Sequence, residues 1–281
     1  MWKYTRYVTP IPDKKPISGI IGTGLLCALA LLLLHPSNLV CHASSGQGSP
    51  LKAAIVDHLS LSWPNPAFVR ECTAMLEGAG FAVDYYPGEK VTVEFYRDLP
   101  SHGYKVIVLR VHSAYIPEYL SLAMFTSEPY TRDRYVYEQL RNRVASGYVE
   151  PYRQGDPKYL VVTDKFVRFN MKGSFDGALV IMMGCTGVKK CAANAFAQKG
   201  AGAYIGWTGS VSAAHTDRAM LHLLRQLLQE DHSVNGAVMQ TMKTVGPDPT
   251  YKSTLLYWPI KAGSYSLGAP EERVVRSTPR S

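Results

Sequence analysis

The chain is poor in the features that would mark several protein classes at once. Only 5 of its 281 residues are cysteine, and 19% are charged. Three cysteines, Cys72, Cys185 and Cys191, fall in the part that reads as folded, an odd number that excludes a disulfide scaffold and leaves at least one free thiol. No CxxC or His-x-x-x-His pair occurs, and Cys185, Cys191 and His215 lack zinc-site spacing, so no metal is expected. Past residue 50 there is no run of five Lys or Arg, which argues against nucleic-acid binding despite the formal net charge of +8. Lys3, Arg6, Lys14 and Lys15 against Asp13 supply part of that charge. Internal repeats are absent, and 46% hydrophobic residues with 23 Gly and 18 Pro is an ordinary globular composition.

What is present divides the chain. Residues 1–16 form a basic N-terminal tail, and 17–34 are 18 consecutive uncharged, mostly apolar residues closed by Pro36. That length suits a transmembrane helix or a long signal segment. Small residues at Cys41 and Ala43 leave both retention and cleavage open, while Val40 disfavours lipidation at Cys41. The upstream basic residues place the following domain on the extracytoplasmic side, membrane-anchored or secreted. Residues 35–50 read as a linker, 51–265 as one α/β domain, and 266–281 as a disordered tail.

Within the domain, short apolar runs alternate with amphipathic stretches. Strands are expected at 51–56, 81–85, 104–111, 178–183, 203–207 and 255–258, with helices at 66–78, 190–199 and 212–230, the last continuing helically over 234–243. The stretch 91–97 fits either type, and 119–170 reads as an insertion or hairpin beside the main sheet. Strands alternating with helices imply βαβ units and a mostly parallel sheet.

In such a sheet the functional crevice lies beyond the carboxyl ends of the strands. His112 immediately follows the run Tyr104 to Val111, and Cys185 follows Ala178 to Gly184. A thiol attacks a carbonyl as thiolate, and a neighbouring imidazole can take its proton. Backbone N–H groups near Gly184 to Gly187 could face an oxyanion. The competing reading is a small hydrophobe packed after a strand. Asp57 follows the first strand, where it could cap the turn. His215 with Asp217 reads chiefly as helix capping, and His58 is a further imidazole after the first strand.

An apolar strand ending in His112-Ser113, then an apolar strand ending in Gly184-Cys185, resembles the caspase-like fold of clan CD cysteine peptidases. Residues 200–211 (GAGAYIGWTGSV) with His215-Thr216-Asp217 are similar to the segment after the nucleophile helix in caspase-like and gingipain-like domains. The resemblance implies a three-layer sandwich, a mostly parallel central sheet with helices on both faces. It implies a peptide or protein substrate and no cofactor, with His112 as general base and Cys185 as nucleophile. The backbone N–H groups of Ser113 and Cys185 would form the oxyanion site. Ser113 stands where most of the family has Gly, and MGCTG around Cys185 departs from the caspase signature, which argues against cleavage after Asp. In several members the loop after the first strand supplies a charged pocket residue; Asp57 is the candidate here and would favour Lys or Arg. The alternative is a catalytically inactive caspase-like binding or scaffold domain at the cell surface.

Overall fold

A computed structural model describes residues 51–149 and 152–267. Strand β1 (Leu51–Asp57) leads through a 3-10 turn, His58–Leu61, into α1 (Pro66–Gly78). The helix starts where the sequence provides a start: Asn65 caps it by accepting the Phe68 N–H at 3.1 Å, and Pro66 occupies the first helical position. It ends before Gly80, whose φ of +86° suits a residue without Cβ. Phe68, Cys72, Met75 and Leu76, spaced at helical period, are its buried stripe.

Strand β2 (Phe81–Pro87) follows, then α2 (Val93–Asp98), β3 (Tyr104–Arg110), β4 (Ser113–Ile116) and β5 (Ser121–Pro129). Next come α3 (Val136–Leu140), β6 (Val144–Gly147), β7 (Tyr159–Thr163) and α4 (Asp164–Phe169). The chain continues with β8 (Leu179–Met182), α5 (Lys190–Gln198), β9 (Ala203–Trp207), α6 (Ala213–Leu228), α7 (Val234–Thr244) and β10 (Leu255–Trp258). The ambiguous stretch 91–97 resolves as helix because Thr92 accepts the Phe95 N–H at 3.0 Å and caps it.

The central sheet is six-stranded, in the order β10-β9-β8-β3-β1-β2. All neighbours are parallel except β9 and β10. This is an α/β fold with a mixed, mostly parallel sheet and helices on both faces, consistent with a three-layer sandwich. The alternation along a strand assigns the faces. From β3, Val106 and Val108 pack with α1, α6 and α7 on one side, whereas Ile107 and Leu109 pack with α2, α4 and α5 on the other. All four β3 side chains are buried, each contributing about 1.5–3 kcal/mol of apolar burial.

Two sequence expectations are refined, and a third falls outside the described residues. The insertion at 119–170 begins earlier, at β4, and forms its own four-stranded antiparallel sheet, β4-β5-β7-β6. The long helix from 212 does not run on through 243. It stops at Leu228, Asp231 takes a φ of +50°, and Ser233 starts α7 by accepting the Gly236 N–H. The apolar segment 17–34 and nearly all of the 266–281 tail lie outside the described residues; among those described, no helix is long and apolar enough to cross a membrane.

Candidate active site

The chain leaves β1 for β2 on one side, then returns to place β3 on the other, so the topological switch point lies between β1 and β3. In open parallel sheets this point, at the carboxyl ends of the strands, is where functional residues gather. Strand order decides whether the strands carrying His112 and Cys185 are neighbours. They are: β3 pairs directly with β8, Leu109 opposite Met182, and the next bond runs from Met183 N–H to Leu109 O at 2.9 Å. The ladder ends there, and beyond it the two extensions meet through Ser113 and Cys185, while among the described residues the partners of the His112 ring are Ser62, His58 and Phe125 and no hydrogen bond joins it to Cys185.

The two strand extensions are clamped together. Ser113 Oγ donates to Cys185 O at 2.7 Å. Gly184 is required at this approach, since a Cβ there would stand 2.5 Å from Val111 O and would also meet the Ser113 hydroxyl. Thr186 then adopts a φ of +55°, costly for a β-branched residue. It is held by its N–H to Gly209 O at 2.8 Å and its hydroxyl to Cys185 O at 2.7 Å.

The Cys185 sulfur lies against the loop before α6. Val211 N–H reaches it at 3.5 Å, and the thiol faces Val211 O at 3.7 Å. The Cys185 N–H and the Ser210 hydroxyl also address the sulfur. These donors favour a thiolate, but burial outweighs them and pushes the thiol up from its ordinary value. Asp248 fastens the loop by accepting from Ser212 N–H at 2.9 Å and Ser212 Oγ at 2.8 Å.

On the other side, the His112 Nε2 is 2.8 Å from the Ser62 hydroxyl. That contact commits Nε2 and leaves Nδ1 as the ring nitrogen for a second partner. The His58 ring meets His112 edge-on, centroids 5.8 Å apart, and Phe125 packs against both. Burial first, then His58, then Arg110 push His112 down to about 3, and burial holds His58 at about 4. Thiol and imidazole therefore rest uncharged at neutral pH.

Asp57 takes a different place from the pocket position expected of it. Its side chain is 1% exposed, with Oδ1 accepting from Arg110 Nη1 at 2.6 Å and Oδ2 from Tyr85 at 3.2 Å. Its charge is matched inside the fold rather than offered to a basic substrate side chain. Arg110 spans the switch point: Nε and Nη2 also donate to the two oxygens of Asp217, at 2.7 and 2.9 Å, and Nη2 to Trp63 O at 2.8 Å. Asn65 donates to Asp217 Oδ2 at 2.9 Å. This buried cluster ties β1, β3, α6 and the 62–65 loop together, and that loop carries Ser62.

Neither Arg110 nor Ser62 was singled out from sequence. A lone Arg closing an otherwise apolar central strand was the available signal for the first; nothing local announces the second. Asp217 joins the Arg110 cluster, and His215 bonds Gly246 O at 3.1 Å and Arg218 at 3.0 Å, so the two serve the scaffold. Trp207 is core, donating to Thr216 at 2.9 Å. A cavity of about 700 Å³ opens elsewhere, between α1 and α6, and is lined by Phe68, Glu71, Arg218 and His222 among others. Among the described residues no group of His, Cys, Asp and Glu could hold a metal ion. Compared with protein-family models and with curated protein sequences, the chain matches none.

Proposed function

We propose that this protein is a caspase-like cysteine endopeptidase working through a His112/Cys185 dyad, on a domain that residues 17–34 anchor to a membrane or export. The single observation that carries the reading is the apposition of β3 and β8 in parallel register, with Ser113 Oγ bonded to Cys185 O at 2.7 Å. In this mechanism Cys185 Sγ attacks the scissile carbonyl while His112 takes the thiol proton. His112 then returns the proton to the leaving amine, and water hydrolyses the thioester. The N–H groups of Ser113 and Cys185 stabilise the oxyanion. Because the free pair rests neutral, proton transfer belongs to the attack step, not to a preformed ion pair.

One observation favours a second reading, a catalytically silent binding or scaffold domain: burial disfavours the charged forms of both His112 and Cys185. Reacting the full chain with a panel of peptidyl acyloxymethyl ketones separates the two. The peptidase reading expects an adduct at Cys185, found by peptide mass spectrometry, that His112→Ala reduces by about 10²-fold or more. An unmodified Cys185 across the panel, or labelling indifferent to His112, refutes it in favour of the binding domain.

A further inference from the structure

Helix α3 is inverted relative to an ordinary surface helix. Its Gln139 is buried, whereas Val136, Tyr137 and Leu140, which share one face at i, i+1 and i+4, are 48%, 55% and 51% exposed. Phe169, ending α4, adds a fourth large apolar side chain at 55% exposure. Arginines interleave with the rings. The Arg143 guanidinium bridges them, 5.6 Å from the Tyr137 centroid and 4.9 Å from Phe169. Arg141 lies 4.9 Å from Tyr137, and Arg168 lies 5.0 Å from Phe169. None of the three forms an ion pair with a carboxylate among the described residues, whereas Glu138 beneath them is taken by Arg97 at 2.8 Å.

Aromatic and aliphatic side chains mixed with arginines that hold no ion pair among the described residues, Arg143 donating only to Asn170 Oδ1 at 3.2 Å, suit the boundary between anionic headgroups and acyl chains. The position of the patch fits as well. The parallel strands all start on one edge of the sheet, where Leu51 opens β1. Helix α4 carries the chain back toward that edge: Lys172 N–H bonds Arg97 O at 2.7 Å, and Gly173 lies against Ser101, just before β3. Residues 35–50 join the apolar run 17–34 to Leu51, so the chain enters the domain from that run at this edge. The dyad lies at the opposite edge.

We propose that the α3/α4 face docks on an anionic phospholipid surface and holds the domain with the Cys185 edge turned away from the membrane. The inference is independent of whether the dyad is active. Three arginines near an anionic surface strengthen partitioning by about 10²-fold. The test is hydrogen exchange of the full chain reconstituted into nanodiscs of phosphatidylcholine alone or mixed with phosphatidylglycerol, so that any tether is the same in both. The expected result is slowed exchange over 136–141 and 168–170 in the anionic discs only, lost in about 0.5 M salt and lost in Arg141→Glu/Arg143→Glu/Arg168→Glu. Phe169→Ser, an exposed position, gives a second variant if the triple one fails to fold, and should weaken the protection. Equal protection in both discs, no protection in either, or protection that appears only on adding a polyglutamate peptide overturns the proposal.

Discussion

Replacing Arg110 with Met tests the cluster on which the candidate site stands. Arg110 is 0% exposed and meets Asp57 and Asp217 through three short hydrogen bonds. Met approximates the stem but leaves two buried carboxylates unmatched. Breaking a buried ion pair by removing one partner costs about 3–5 kcal/mol. For a domain of this size that lowers Tm by about 6–20 °C. The cost should depend on pH with a definite sign. Burial already pushes the Asp57 carboxyl up and Arg110 pulls it back; without Arg110 it rises further. A carboxyl whose folded pKa is raised favours folding below its unfolded value and loses that contribution as pH climbs through the folded value. The stability difference from the parent should therefore be smallest near pH 4 and largest at neutral pH and above. Urea denaturation of both proteins across that range measures it. Arg110→Lys keeps the charge without the fork and should fall between the two. A loss below about 1 kcal/mol, or one constant with pH, would refute this account of the cluster.

Four other outcomes are expected. Ser62→Ala frees His112 Nε2, so on the peptidase reading labelling of Cys185 should slow by about 10-fold with stability within about 1 kcal/mol of the parent, measured by inhibitor kinetics and denaturation. Gly184→Ala forces a Cβ onto Val111 O and should separate the strand ends, destabilising by about 1–3 kcal/mol and abolishing Cys185 labelling. Alkylation by iodoacetamide should be slow at neutral pH and accelerate for Cys185 in alkali, while Cys72, pushed up to about 12, stays inert; mass spectrometry separates the sites. The buried imidazoles are neutral in the fold and free to charge when unfolded, so stability should fall as pH drops from about 6.5 toward 4. His58→Gln should flatten that slope in acid denaturation.

Much of the fold was legible because its signals are local. A continuous β-branched run such as 104–111 has no good alternative to a strand covered on both faces, and helical periodicity with Asn65-Pro66 before it fixes α1. Asp231 and Ser233, which interrupt the helical pattern after 228, are turn-type residues whose break periodicity alone passes over. The hairpin region was seen only in outline, since β4 and β6 are four residues each and draw their order from pairing rather than composition.

The sequence by itself determined the element types along most of the described residues, the α/β class of the domain, and the position of His112 and Cys185 just beyond two strands. Tertiary structure decided that those strands are neighbours, that Ser62, fifty residues before His112, supplies its hydrogen-bond partner, and that Asp57 answers Arg110 rather than solvent. The physical reason is the range of the interactions. Helix caps and strand periodicity act over a few residues and are written locally, whereas strand order and the matching of buried charges join Asp57, Arg110 and Asp217 across the chain and exist only once the sheet has closed around them.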